Sequence, residues 1–125
     1  MQILTFILEE KLFAIKTKNV SLIREVVNIT RVPSAPYYIK GIMDSNGNII
    51  TVIDMKSLLS LKKGNSEKNI VIFDAEKVGI AVDKALEVVE VDENKIELCE
   101  ENKFIYGIVE VKGKKVSIIN TDNII

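Results

Sequence analysis

Carboxylate pairs such as Glu9-Glu10 and Glu100-Glu101, and one thiol, Cys99, are groups in this 125-residue chain whose type suits acid/base or nucleophilic chemistry. The chain has no histidine. That removes the commonest general base, the usual zinc sites and the Ser-His-Asp arrangement together. Each carboxylate pair borders a strand-like run, so it reads as a solvated strand end or turn and not as acid/base machinery. Cys99 has no second cysteine to pair with and reads as a small, partly buried side chain in a reducing cytoplasm. The sequence therefore gives no foothold for catalysis and predicts no metal.

Charge narrows the partners. Lys and Arg number 17 and Asp and Glu 18, a net charge of −1, and the two signs alternate along the chain. Nothing here attracts a nucleic-acid backbone or an anionic membrane over a distance. Aromatic residues make up 6% with no Trp, too few to interleave with a basic groove for base stacking. The opening MQILTFILEEKLFAI reaches charge by Glu9, too soon for a signal-peptide core or a membrane span. At 125 residues the chain is the size of one domain, long enough to bury roughly two thirds of its unfolded area.

The elements of the fold follow from an internal repeat. Residues 37–59, YYIKGIMDSNGNIITVIDMKSLL, match residues 103–125, KFIYGIVEVKGKKVSIINTDNII, at a constant offset. Gly41 falls on Gly107 and Gly47 on Gly113, both 66 apart, with Ile39 on Ile105, Val52 on Ile118 and Leu58 on Ile124. Two glycines held six apart inside one apolar pattern predict two similar halves. LTFIL (4–8) and IVIF (70–73) are apolar runs of strand length followed by charged turns, with FAIK and GIAV as return strands. Asn46-Gly47 and Lys112-Gly113 are two-residue hairpin turns, because both turn positions take positive φ. Short helical turns are predicted at 19–24 and 54–60, with Asn19 and Asp54 as caps. Pro33 and Pro36 force an extended loop, and KKGNSEKN (62–69) reads as a linker. The expected fold is mostly β: two similar small five-stranded β-barrel halves packed around a shared apolar core, with short helical turns. The first half covers about 1–61 and the second about 70–125.

The ordered segments then take on a known pattern. An opening strand, VPSAPYYIKGI and a glycine-turn hairpin running into VIDMKSLL resemble the first half of CheW-like domains. IVIFDAEKVGIAVDKALEVVEV and IYGIVEVKGKKVSIINTDNII resemble the second, with Gly79, Val82, Asp83, Leu86, Glu87 and Val88 in the family's order. The resemblance spans essentially the whole chain. It implies a single CheW-like domain of two five-stranded barrels and no cofactor. It also implies a cytoplasmic adaptor, recruited to membrane receptor arrays without entering the bilayer. Such an adaptor couples the cytoplasmic tip of methyl-accepting chemoreceptors to the regulatory domain of a CheA-like histidine kinase. The alternatives are a divergent adaptor in a non-chemotactic receptor pathway, or a small ligand-binding or nucleic-acid-binding β-barrel.

By the same resemblance, the receptor-facing residues are Val20, Ile23, Gly41, Asn46, Gly47 and Val88. The residues themselves carry a second reading. Gly41 allows close packing, Gly47 supplies positive φ, and Asn46 is a turn former. Val20, Ile23 and Val88 read most simply as core, and otherwise as the wall of an apolar groove for a partner helix. Tyr37, Tyr38 and Tyr106 are further interface candidates. The chain departs from the family at one of these places and at a neighbouring one. Asn46 stands where an Arg commonly precedes the hairpin glycine, and Leu22 stands where the family's Val-x-Glu-Ile pattern has Glu.

Overall fold

The computed structural model describes residues 1–62 and 67–125. Strands β1 (Gln2–Leu8) and β2 (Lys11–Lys16) form an antiparallel hairpin, turned at Glu9 and Glu10 with φ of 48° and 62°. After β3 (Leu22–Glu25), a second hairpin joins β4 (Ile39–Ser45) to β5 (Asn48–Asp54). Its turn is Asn46-Gly47, at φ 53° and 84°, the positive pair that an Asn-Gly sequence adopts at least cost. The helical turn α1 (Met55–Leu58) follows, with Asp54 as its cap. The Asp54 carboxylate accepts from Ser57 N at 3.2 Å and from Ser57 Oγ at 2.9 Å.

The second half of the chain repeats the pattern. β6 (Asn69–Phe73) and β7 (Val78–Val82) are a hairpin, followed by β8 (Lys84–Glu90) and the two-residue β9 (Glu97–Leu98). β10 (Ile105–Val111) and β11 (Lys114–Ile119) close it through Lys112-Gly113, at φ 50° and 80°. The hairpin at 39–54 and the one at 105–119 carry the same irregularity. Register shifts between Ile39 and Gly41 in one, and between Ile105 and Gly107 in the other. A single extra residue, Lys40 or Tyr106, bulges each strand at the same point of the repeat.

The repeat does not fold half by half. The strand order is β3-β6-β7-β5-β4 in one sheet and β8-β1-β2-β11-β10-β9 in the other. Each sheet takes one hairpin from each half of the sequence, joined by a parallel pairing: β5 with β7, and β11 with β2. The compact units are accordingly Asn19–Lys84, and Met1–Lys18 with Ala85–Ile125. They differ from the division at 1–61 and 70–125 expected from the sequence. Composition reveals where the chain is linker-like, but the partner of a hairpin is chosen by non-local pairing. The expected linker 62–69 also shortens: Asn69 opens β6, and Lys68 N donates to Val82 O at 3.0 Å. Residues 63–66 of it lie outside the described residues. The expected helical turn at 19–24 is absent as well. Asn19 sits in a turn at φ 72°, and Leu22–Glu25 pair with Asn69–Ile72 of β6. Four ladder partners outweigh a weak capping preference.

Each unit has its own core. In the unit at 19–84 it is built from Met43, Ile50, Val52, Ile70, Ile72 and Ala81, all at most 3% exposed. In the other it includes Ile3, Ala14, Val109, Val116 and Ile118. Met43, Ile50 and Val52 sit 66 residues before Val109, Val116 and Ile118, so the repeat places the same inward positions in both cores.

Side-chain ties show that both sheets curl. A flat five-stranded sheet would hold its edge strands about 19 Å apart, four steps of about 4.8 Å. Yet Arg24 Nη1 on edge strand β3 donates to Ser45 Oγ on edge strand β4 at 3.2 Å. In the other unit, Lys112 Nζ in the β10–β11 turn donates to Glu87 Oε1 on β8 at 2.7 Å.

Gly41 and Gly107 let a neighbouring segment approach closely. A Cβ on Gly41 would collide with Thr30 O and come within 2.7 Å of Ile29 Cγ2. On Gly107 it would meet Ile96 Cγ2 at 2.7 Å and Glu97 O at 2.8 Å. Gly41→Ala and Gly107→Ala should each destabilise by about 1–3 kcal/mol in urea unfolding, since backbone must move. Gly47→Ala, with nothing within 4 Å of the new methyl, should cost only about 1 kcal/mol, from the positive φ alone. Equal losses at Gly41 and Gly47 would contradict the close-approach account.

Candidate functional site

The β3–β4 edge gathers most of the receptor-facing residues expected from the sequence. Ile23 lies on β3, Gly41 on β4, and Asn46-Gly47 forms the turn that follows Ser45. The Arg24–Ser45 bond brings these two edges of the sheet together. Inside the closure, Ser45 is 1% exposed and Leu22 and Arg24 are half-buried. Outside it, Ile23 is 43% exposed. Asn46 and Gly47 are exposed, and Gly47 N donates to Asp44 Oδ1 at 3.0 Å, which stiffens the turn. Val20, just before β3, is half-buried. Val88 stands on β8, in the other compact unit, and is 54% exposed.

The simplest reading of Ile23 and Val88, as core, is therefore wrong. Both take outward positions of the strand alternation, as the exposed Ile49 does on the inner strand β5. An apolar residue type does not by itself tell which face is outward. Gly41 and Gly47 keep the backbone roles expected of them, with Gly41 buried against Ile29 and Thr30. Of the aromatic candidates, Tyr37 is 70% exposed and meets Tyr38 edge-on, with centroids 5.5 Å apart. Tyr106 is half-buried under Lys16, whose Nζ lies 4.2 Å from the ring centre.

Beside Gly41, an ion network escaped the sequence reading. Lys56 of α1 is 2% exposed, and its Nζ lies 2.6 Å from Asp83 Oδ1 and 3.7 Å from Glu67 Oε2. Glu67 Oε1 in turn accepts from Lys40, the bulge residue next to Gly41, at 2.9 Å. Two ammonium and two carboxylate groups from four separate segments thus pin the bulge, α1, the approach to β6 and the end of β7. The only signal for it was a lysine inside the apolar run VIDMKSLL. Nothing in the sequence pairs Lys56 with residues 11 and 27 positions on. Burial by itself would lower the Lys56 pKa. The hydrogen bond to Asp83 and the charges of Glu67 and Asp83 outweigh that and raise it above the ordinary lysine value. Among the described residues, no three His, Cys, Asp or Glu side chains converge to hold a metal ion.

The CheW-like domain model matches residues 2–125. The chain belongs to the CheW-like domain family. It is similar to the chemotaxis protein CheW of Thermotoga maritima, 27% identical over 99% of this chain and 87% of that protein. It is 30% identical to the chemotaxis protein CheW of Bacillus subtilis, over 99% of this chain and 86% of that one. Among solved structures, the scaffolding protein TtCheW of Thermoanaerobacter tengcongensis superposes with a TM-score of 0.86 at 33% identity. That match covers 95% of this chain and 83% of that one. The mostly β fold in two sheets is thus the CheW-like fold, and the resemblance read from the ordered segments holds across the chain.

Lys56 gives a pH signature. A lysine whose folded pKa is raised contributes stability that is complete below its unfolded value, near 10.5, and is lost as pH rises through the folded value. Unfolding free energy measured in urea should therefore fall as pH rises above the ordinary lysine value of 10.5. Lys56→Met should lack that part of the fall. At neutral pH the same variant should lose about 3 kcal/mol or more, because Glu67 and Asp83 would keep buried charge without their shared cation. An unchanged alkaline slope in Lys56→Met would remove the network's role.

Proposed function

We propose that this chain is a chemotaxis adaptor, a scaffold that couples chemoreceptors to a histidine kinase through protein–protein contacts and catalyses nothing. The observation that carries the reading is the family match over residues 2–125 with relatives described as chemotaxis proteins CheW. The structural likeness to a scaffolding protein supports it. One partner is the cytoplasmic tip of a methyl-accepting receptor, and the other is the regulatory domain of a CheA-like kinase. Such an adaptor works in the cytoplasm at the receptor array. Among the described residues, no helix is long and apolar enough to cross a membrane.

The receptor-facing surface is the β3–β4 edge with Val20, Ile23, Asn46 and Gly47, and Gly41 lies buried beneath it. A helical tip docking on such a surface takes most of its energy from a few buried aliphatic anchors. Leu22 and Asn46 favour a second reading. With both members of the family's usual Glu and Arg positions uncharged, the chain can serve a receptor outside chemotaxis. Removing both charges together leaves neither buried without a partner.

Purified chain mixed with a receptor cytoplasmic fragment and a kinase regulatory domain should bind each. Binding to the kinase domain with none to chemoreceptor fragments would favour the second reading, and binding to neither would refute both. Ile23→Asp should shift Tm by less than about 2 °C, as an exposed position allows, yet weaken receptor binding by about tenfold or more. Asn46→Arg should leave the native receptor contact unchanged or weaker. Clearly tighter binding would show that an ionic contact at that turn is still used.

A further inference from the structure

We propose that Arg24 is the residue that reads charge at this surface, and that it takes a carboxylate, Asp or Glu, from the docked partner segment. The partner's identity rests on the adaptor reading; the carboxylate rests on the guanidinium's surroundings. Arg24 is half-buried, and Nη1 donates to the hydroxyl of Ser45 at 3.2 Å. A hydroxyl is neutral and uses one of five N–H donors, so it aims the fork without compensating its charge.

No carboxylate among the described residues forms an ion pair with Arg24. The nearby acids are otherwise engaged: Asp44 accepts from Gly47 N at 3.0 Å, and Glu25 follows Arg24 on the strand and so points to the other face. The contrast within the same unit is Lys56, which has carboxylates on two sides. A half-buried cation aimed by a neutral anchor at a curled edge suits a partner acid that reaches the closure, on the face of β3 opposite the exposed Ile23. Arg and carboxylate then pair through two parallel hydrogen bonds.

The test uses the full chain and a receptor cytoplasmic fragment as probe, with Kd measured by titration calorimetry at about 50 mM and about 300 mM salt. Wild type should bind more weakly at the higher salt. Arg24→Gln should lose about tenfold or more and most of the salt dependence. Ser45→Ala removes the internal anchor but leaves the guanidinium. It should lower Tm while keeping most of the affinity and the salt dependence.

Wild-type affinity in Arg24→Gln would overturn the inference. So would a loss in Ser45→Ala as large as that in Arg24→Gln, because Arg24 would then be only a tie between strands. If Arg24→Gln does not fold, Arg24→Lys decides: weaker binding with retained salt dependence supports the forked contact, and unchanged affinity overturns it. A wild-type chain that binds the kinase domain but not the receptor fragment overturns the inference alone. One that binds neither partner overturns the adaptor reading with it.

Discussion

A two-stranded hairpin has two faces and two edges, and it cannot bury its apolar side chains or pair its outer backbone groups alone. Everything else in this structure depends on how that deficit is met. Hairpin β4–β5 gains its third strand from β7, and hairpin β10–β11 gains its third from β2, in each case by parallel pairing to a hairpin from the other half of the chain. Parallel neighbours need a long connection, and the exchange supplies it. The apolar runs LTFIL, IVIF and GIAV belong to the hairpins that are exchanged. Ile3, Leu4, Thr5 and Phe6 are consecutive buried residues of β1, as are Ile70 to Phe73 of β6. Burial on both faces is why these strands read as continuous apolar runs and not as alternating ones.

Closing a curled sheet brings edge strands together, and the side chains at the closure decide what the surface there offers. The two units solve the closure with different chemistry at comparable places. One uses a cation and a buried hydroxyl, Arg24 with Ser45; the other uses an exposed ion pair, Lys112 with Glu87. The exposed pair is solvated on both sides and contributes little to stability. The Arg24 closure leaves a charge unneutralised in a partly dry place. The turn beside it is held by Asn46, Gly47 and Asp44 without any cation. Arg24 stands two residues along the strand from Leu22, on the same side of β3.

The bulges at Lys40 and Tyr106 show how one repeated backbone feature acquires two uses. Both follow from glycines that admit a neighbouring backbone at a distance no side chain permits. At the first, Lys40 reaches Glu67 and joins the buried network around Lys56. At the second, Tyr106 lies beneath Lys16. The Lys56 network joins α1 to the end of β7 through groups that are costly to separate, since removing one leaves the others charged in a low dielectric. It gives the segment beside Gly41 a fixed geometry that apolar packing, which has no direction, would specify less well.

The sequence by itself determined the strands of the four hairpins, the two Gly turns, the Asp54 cap and the repeat. Each of these is encoded within a few residues: a positive-φ dipeptide, a capping carboxylate, a run of β-branched side chains. It also determined the family, because the order of such local features along the whole chain is specific even when no single one is. Tertiary structure alone decided which hairpin joins which sheet, and hence that the compact units cut across the halves of the repeat. It turned 19–24 from a helical turn into β3, exposed Ile23 and Val88 on edges, and paired Lys56 with Glu67 and Asp83. It also left Arg24 without a counter-charge among the described residues. The physical reason is the same in every case. Strand pairing, burial and charge neutralisation depend on groups far apart in the chain, and the distance between them in space exists only once the sheets have curled.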